Sequence, residues 1–231
     1  MTYVMSDLHG MYDKFIAMLE KINFSASDEL FIIGDIIDRG ERPVDILEYV
    51  MDKPNITVLL GNHEVMASDF LHRLTAEITK ENINSVDEDF LIELSIYKRN
   101  GGATTMKQLR ALPPDKRKKI LDFIDSLYAY EAIDIGDKTF ILVHAGLGNF
   151  RKDKKISQYA LYELLELRPD YERQYFDDDS VYIVSGHTPT KLISGKCEIY
   201  HSHNNIVIDC GAAFGGKLAC LRLEDMAEFY V

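Results

Sequence analysis

Leu30-Phe31-Ile32-Ile33-Gly34-Asp35-Ile36-Ile37-Asp38-Arg39-Gly40 starts as an apolar run and then turns polar, with two carboxylates and an arginine between glycines. A short apolar run bounded by glycine reads as a buried strand. In open α/β sheets, ligands bind beyond the carboxyl ends of such strands. Four other runs end in the same way. Tyr3-Val4-Met5 leads into Ser6-Asp7-Leu8-His9-Gly10, and Ile56-Thr57-Val58-Leu59-Leu60 into Gly61-Asn62-His63-Glu64. Phe140-Ile141-Leu142-Val143 leads into His144-Ala145-Gly146, and Val181-Tyr182-Ile183-Val184 into Ser185-Gly186-His187-Thr188-Pro189. One histidine after one strand is ordinary. Five such ends place metal-ligand side chains wherever the sheet meets solvent.

Between the first three runs the periodicity changes from two to 3.6. Tyr12, Phe15, Ile16, Leu19 and Ile22 form one helical stripe, and Val44, Leu47, Val50 and Met51 form another behind Pro43. Strand–helix–strand–helix–strand predicts a parallel βαβαβ unit with right-handed crossovers, its three strand ends side by side. From about 64 to 130 the pattern is helical. Its stripes are Met66, Phe70 and Leu74; Phe90, Leu91, Leu94 and Tyr97; and Ile120, Leu121, Ile124, Leu127 and Tyr128, with breaks at Asn100-Gly101-Gly102 and Pro113-Pro114. This reads as a helical insertion within one domain spanning 1–231. Strands then return. Gly136-Asp137 signals a hairpin between Ala132–Ile135 and Lys138–Val143. A helix follows near Gln158–Leu167, and further short strands fall near 198–201, 206–209, 217–223 and 228–231.

The net charge of −12 argues against a general nucleic-acid binder or a protein held to anionic membranes. Two bound divalent cations would bring the sum to −12 + 4 = −8. No run approaches the ~18 apolar residues of a membrane span, and no leader pattern precedes the first strand. Cys197, Cys210 and Cys220 match no zinc spacing and read as reduced thiols of a cytoplasmic protein. Lys116–Lys119 reads as a solvated helix face, and Arg151–Lys155 as a basic loop.

Alternate residues of an extended segment share a face, so Asp7 and His9 would address one cation. Asp35 would bridge it to a second, completed by Asn62, His144 and His187. Imidazoles mixed with carboxylates and an amide favour Mn, Fe, Zn or Co over Ca or Mg, and Mn is the first expectation. Two such ions ~3.5–4 Å apart suit attack of water on phosphorus in line. His63 is left free to protonate a leaving group, with Asp38 holding its tautomer and Arg39 gripping phosphate in forked geometry.

These motifs, in this order, resemble the calcineurin-like metallophosphoesterases, and most of all the compact bacterial and phage members of the phosphoprotein phosphatase branch and the diadenosine tetraphosphatases. Asn100-Gly101-Gly102-Ala103-Thr104 and Asp209-Cys210-Gly211 also resemble bacterial members. Leu60 stands where eukaryotic Ser/Thr phosphatases carry an arginine. The resemblance implies a β-sandwich with flanking helices and a dinuclear centre. It also implies a second phosphate-binding arginine, for which Arg168 is the match. The expected activity is hydrolysis of phosphomonoesters on phosphoproteins. Hydrolysis of dinucleoside polyphosphates is the alternative, and an inactive metal-binding interaction module the remote one.

Overall fold

The computed structural model describes residues 1–75 and 88–231, so the part of the expected insertion over 76–87 lies outside the described residues. The chain runs β1 (Thr2–Met5), α1 (Tyr12–Lys21), β2 (Glu29–Ile33), α2 (Pro43–Met51) and β3 (Ile56–Leu59). The helices α3 (Asn62–Thr75), α4 (Glu88–Arg99), α5 (Ala103–Ala111) and α6 (Pro114–Asp125) come next. The second half is β4 (Tyr130–Ile135), β5 (Lys138–Val143), α7 (Leu161–Leu165), β6 (Val181–Ser185), α8 (Lys191–Ser194), β7 (Tyr200–Ser202), β8 (Asn205–Val207), β9 (Ala219–Arg222) and β10 (Ala227–Tyr230).

Two five-stranded sheets form, in the orders β10-β9-β1-β2-β3 and β4-β5-β6-β8-β7. The expected βαβαβ unit is the parallel trio β1-β2-β3, in which Val4 lies beside Phe31 and Phe31 beside Thr57. β9 and β10 extend it antiparallel. In the second sheet β5, β6 and β8 are parallel, and the hairpin partners β4 and β7 close its edges.

Period-two alternation decides which side each strand residue serves. Tyr3, Met5, Leu30, Ile32, Ile56 and Val58 face the helices. Their neighbours Val4, Phe31, Ile33 and Leu59 meet Phe140, Leu142, Val184 and Ile206 from the other sheet in a second core. The outer face of that sheet, through Val143 and Ile183, packs on Leu164 and Leu165 of α7. The result is a β-sandwich with flanking helices, as the resemblance implied, in which every strand of the parallel trio is covered on both faces.

Some local expectations shift. Leu91, placed on the buried stripe of α4, is exposed, because the helix packs through Phe90 and Tyr97 against Phe70. Tyr128 lies beyond the end of α6, where its backbone carbonyl accepts from Leu60 N–H at 2.9 Å. The helix expected over Gln158–Leu167 is reduced to a 3₁₀ turn, Ile156–Gln158, and α7. Lys116 and Lys118 of the basic helix pair with Glu48 and Asp122, as a solvated face should. In the basic loop, Lys152 and Lys154 pair with Asp177 and Glu163.

Candidate dinuclear metal centre

The parallel strands of both sheets end at one edge, and each hands over to a loop carrying a motif. The motif residues do not leave their strands in extended form. Asp7, His9, Asp35, Asp38, Arg39 and His187 all have φ between 41° and 68°. Non-glycine residues rarely adopt the left-handed region, and such strain gathers at functional sites, held there by its surroundings. The expectation that Asp7 and His9 share the face of an extended segment is therefore corrected: a left-handed turn brings them together. Gly34, at φ +82°, shows how tightly these loops abut, since a Cβ there would lie 2.6 Å from His144 Nδ1 and from Gly61 Cα.

Asp35 occupies the middle of the site. Its Oδ2 lies 3.5 Å from His9 Nε2 and 3.9 Å from His63 Nε2, and its Oδ1 lies 3.4 Å from His144 Nε2. Each oxygen thus serves a different side. His9, Asp35 and His63 offer one set of converging donor atoms, and Asp35, His144 and His187 another. Asp7 reaches the first side, with its Oδ1 3.8 Å from His9 Nε2, while its Oδ2 accepts from His187 N–H at 2.9 Å. Asn62 belongs to the second, its Oδ1 being 3.0 Å from both His144 Nε2 and His187 Nδ1.

The imidazoles are oriented from behind. His9 Nδ1 and His144 Nδ1 donate to the carbonyls of Ile37 and Ile33 at 3.0 and 2.9 Å, and His187 Nε2 to that of Glu166 at 3.2 Å. Those bonds set the tautomers and turn the other ring nitrogens inward, the arrangement by which backbone carbonyls orient metal-binding histidines. Ligand atoms from Asp35, Asn62 and three imidazoles thus converge, with the Arg39 guanidinium reaching in to His9 Nε2. That donor set fits two divalent cations of the Mn, Fe, Zn or Co type.

The electrostatics agree. Burial pushes the Asp7 carboxyl up to about 6, only partly offset by His144. Burial also holds His9 down to about 3 and His187 to about 4, which leaves both neutral and able to ligate. Burial works against a charged His144 too, but the Asp35 carboxylate beside it prevails and carries it up to about 10.

His63 sits in the first turn of α3. Its Nδ1 is 2.7 Å from Asp38 Oδ2, and its backbone N–H donates to Asp35 Oδ1 at 3.0 Å. Asp38 is fully buried, and its other oxygen accepts from Tyr97 and Thr105 hydroxyls, both at 2.7 Å. The helical insertion therefore supplies the residues that hold the His63–Asp38 pair. Arg39 crosses the mouth, one nitrogen on His9 Nε2 and another 2.8 Å from His63 Nε2. Its backbone N–H donates to Gly101 O at 3.0 Å, which gives the Asn100-Gly101-Gly102 break a purpose. Arg168 is exposed and near enough to His187 to depress its basicity.

Sequence reasoning gave no role to Glu64. Fully buried, its carboxylate accepts from the backbone N–H groups of Asp35, Ile36, Ile37 and Gly61 at 2.8 to 3.3 Å. Its position directly after Asn62-His63 was the available signal. Tyr97, Thr105 and Phe214, whose ring lies 4.8 Å from the Arg39 guanidinium carbon, were also missed, having no motif to mark them.

A family model for calcineurin-like phosphoesterases matches residues 2–213. The asymmetrical bis(5'-nucleosyl)-tetraphosphatase PrpE of Geobacillus sp. strain WCH70 is 26% identical, over 99% of this chain and 92% of its own. The protein of the same name from Bacillus thuringiensis strain Al Hakam is 27% identical, over 96% and 90%. Among solved structures, a putative diadenosine tetraphosphatase superposes with a TM-score of 0.67 at 14% identity, covering 100% of this chain and 92% of that one. A protein serine/threonine phosphatase from Saccharomyces cerevisiae gives 0.61 at 13% identity, covering 95% and 71%.

Proposed function

The chain belongs to the calcineurin-like phosphoesterase family and is a metal-dependent phosphoester hydrolase, and from that premise we propose that it cleaves dinucleoside polyphosphates. The observation that carries this reading is the pair of ligand sets meeting at Asp35, with Arg39 across their mouth. Tetraphosphatase relatives that align with almost the whole chain support a nucleotide substrate over a phosphoprotein, the reverse of the order expected from the motifs alone.

Asp7, His9 and Asp35 would hold one divalent cation, with His63, whose Nε2 converges with theirs, engaged instead by Arg39 and Asp38, and Asp35, Asn62, His144 and His187 would hold the other. Together the ions would supply Lewis acidity toward phosphoryl oxygens and a nucleophilic water at neutral pH. Arg39 and Arg168 bind the oxygens of the transferred phosphoryl group and stabilise the charge that develops on them. His63, its tautomer set by Asp38, delivers a proton to the departing oxygen. The net charge of −12 fits a small anionic ligand held by a few cations rather than a nucleic-acid surface. No helix among the described residues is long and apolar enough to cross a membrane. The free thiols of Cys197, Cys210 and Cys220 are compatible with a reducing, cytoplasmic setting.

A second reading, phosphoprotein hydrolysis, draws on the His63–Asp38 pair, because proton delivery matters most to an alkoxide leaving group. The test is a parallel assay of the Mn-loaded protein on diadenosine tetraphosphate and on phosphoserine, phosphothreonine and phosphotyrosine peptides. The expected kcat/KM is at least tenfold higher on the dinucleotide. Equal or higher values on a peptide would transfer the assignment to the second reading.

A further inference from the structure

Arg39 faces two ways. Its guanidinium edge meets His9 and His63, and the residue also lines a pocket of about 310 Å³ with Gly10, Tyr12, Asp13, Lys14, Glu41 and Arg42. A phosphate held on Arg39 would therefore lie next to this pocket. Two of its lining residues, Arg39 and Lys14, touch the 3₁₀ turn Ala212–Phe214, which is held between left-handed Gly211 and Gly215. Lys14, a lining residue, donates through Nζ to Ala212 O at 3.0 Å and to Gly216 O at 2.7 Å, so both flanks of Phe214 are tied to the pocket wall.

Phe214 itself is 65% exposed. A large aromatic ring left in solvent forgoes the stabilisation of burial and calls for an explanation when it stands at a site. One face of the ring packs on the Arg39 guanidinium carbon at 4.8 Å, and no aromatic partner covers it among the described residues. Across the pocket, the Arg42 guanidinium carbon lies 4.2 Å above the Tyr12 ring, with Asp13 and Asp45 holding its nitrogens at 2.8 and 2.6 Å. The pocket therefore joins cationic groups to aromatic surface immediately beside the phosphate-binding arginine. Aromatic faces stack nucleobases with little regard to sequence, and arginine planes add to such stacking.

Building on the nucleotide reading above, we propose that Phe214 and the Tyr12–Arg42 pocket form the nucleoside subsite of the substrate, with the base stacked on the free face of Phe214. This subsite would separate a nucleoside polyphosphate from a bare phosphate ester.

The test compares diadenosine tetraphosphate with inorganic tripolyphosphate, which has anhydride bonds and no base, on wild-type protein and on Phe214→Ala, Phe214→Leu and Phe214→Tyr. Substitution of so exposed a side chain should leave the fold intact, which circular dichroism checks. In the Ala and Leu variants the ratio of KM for the dinucleotide to KM for tripolyphosphate should rise about tenfold, in line with one lost base stack. Tyr should restore it. Calorimetric titration of the metal-loaded proteins with AMP and with ribose 5-phosphate should show the same loss for AMP alone. If Phe214 merely steadied Arg39, both substrates would suffer equally and the ratio would stay put; that result overturns the subsite. A wild-type protein that leaves diadenosine tetraphosphate uncleaved overturns the nucleotide reading beneath it, and is recognised without any variant.

Discussion

At the scale of single residues, His63 is the side chain whose role is most open to measurement. It meets Asp38 at 2.7 Å, and Asp38 in turn takes hydroxyl bonds from Tyr97 and Thr105. A general acid matters in proportion to the basicity of what departs. His63→Asn is therefore expected to slow a phosphoserine peptide by ~10²–10⁴-fold and nitrophenyl phosphate far less. Asp38→Asn should show the same bias more weakly, with metal content near wild type in both. Equal slowing of the two substrates would remove His63 from proton delivery. Arg168 belongs to a different class, exposed and beside His187. Arg168→Ala should raise KM and lower kcat without loss of metal, and Arg168→Lys should restore only part of each, because a planar fork matches phosphate better than a point charge does. Unchanged kinetics in both variants would pass the role to Arg151 or Arg173.

At the scale of elements, the N-terminal turn of α3 does most to assemble the centre. Asn62 and His63 reach the site from it, and Glu64 stitches it to the loop that follows β2 through three backbone N–H groups, with Gly61 N–H as a fourth donor from its own turn. Burial raises the Glu64 carboxyl to about 7, a cost that those N–H bonds offset in part. Glu64→Gln keeps the shape but puts an amide nitrogen where donors already point. Hydrogen bonds to charged groups are worth ~1.5–3 kcal/mol each when lost from a buried site. The variant should accordingly unfold several degrees lower and bind metal more weakly, although Glu64 is no ligand. Calorimetry and metal analysis check this, and wild-type values in both would reduce Glu64 to a spectator.

At the scale of the whole molecule, the proposed ligands come from both sheets. Asp7, His9, Asp35 and Asn62 follow strands of the first sheet, and His144 and His187 follow strands of the second. Cations bound there would pin the two halves of the sandwich together. A ligand at a hundred times its Kd stabilises by ~2.7 kcal/mol, and for a chain of this length each kcal/mol moves Tm by roughly 2–4 °C. Chelation should therefore lower Tm by about 5–10 °C as well as abolish activity, and Mn should restore both. In Asp35→Asn the shift on chelation should shrink, since one set loses its oxygen and the other keeps only a neutral amide carbonyl. Two full equivalents of metal in that variant would take Asp35 out of the bridge. The seam itself is testable through Phe140, fully buried between the sheets; Phe140→Ala should cost ~3–5 kcal/mol in denaturant unfolding.

The sequence by itself determined the βαβαβ unit, the helical stretch after it and the identity of the ligand-type residues. Alternation, helical spacing and polar strand ends are local signals, and the five motif-bearing ends share one edge because parallel strands must. Only the tertiary structure decided how those ends are shaped. Left-handed φ at Asp7, His9, Asp35 and His187 depends on loops from two sheets packing against one another, as the overlap at any Cβ on Gly34 shows. The roles of Tyr97, Thr105 and Phe214 were equally out of reach, and the motif that marked Glu64 did not reveal its partners. Each acts on a partner that folding brings near: Glu64 on the loop after β2, Tyr97 and Thr105 on Asp38, and Phe214 on Arg39. Contacts between residues as many as 175 positions apart leave no periodicity for a sequence to display.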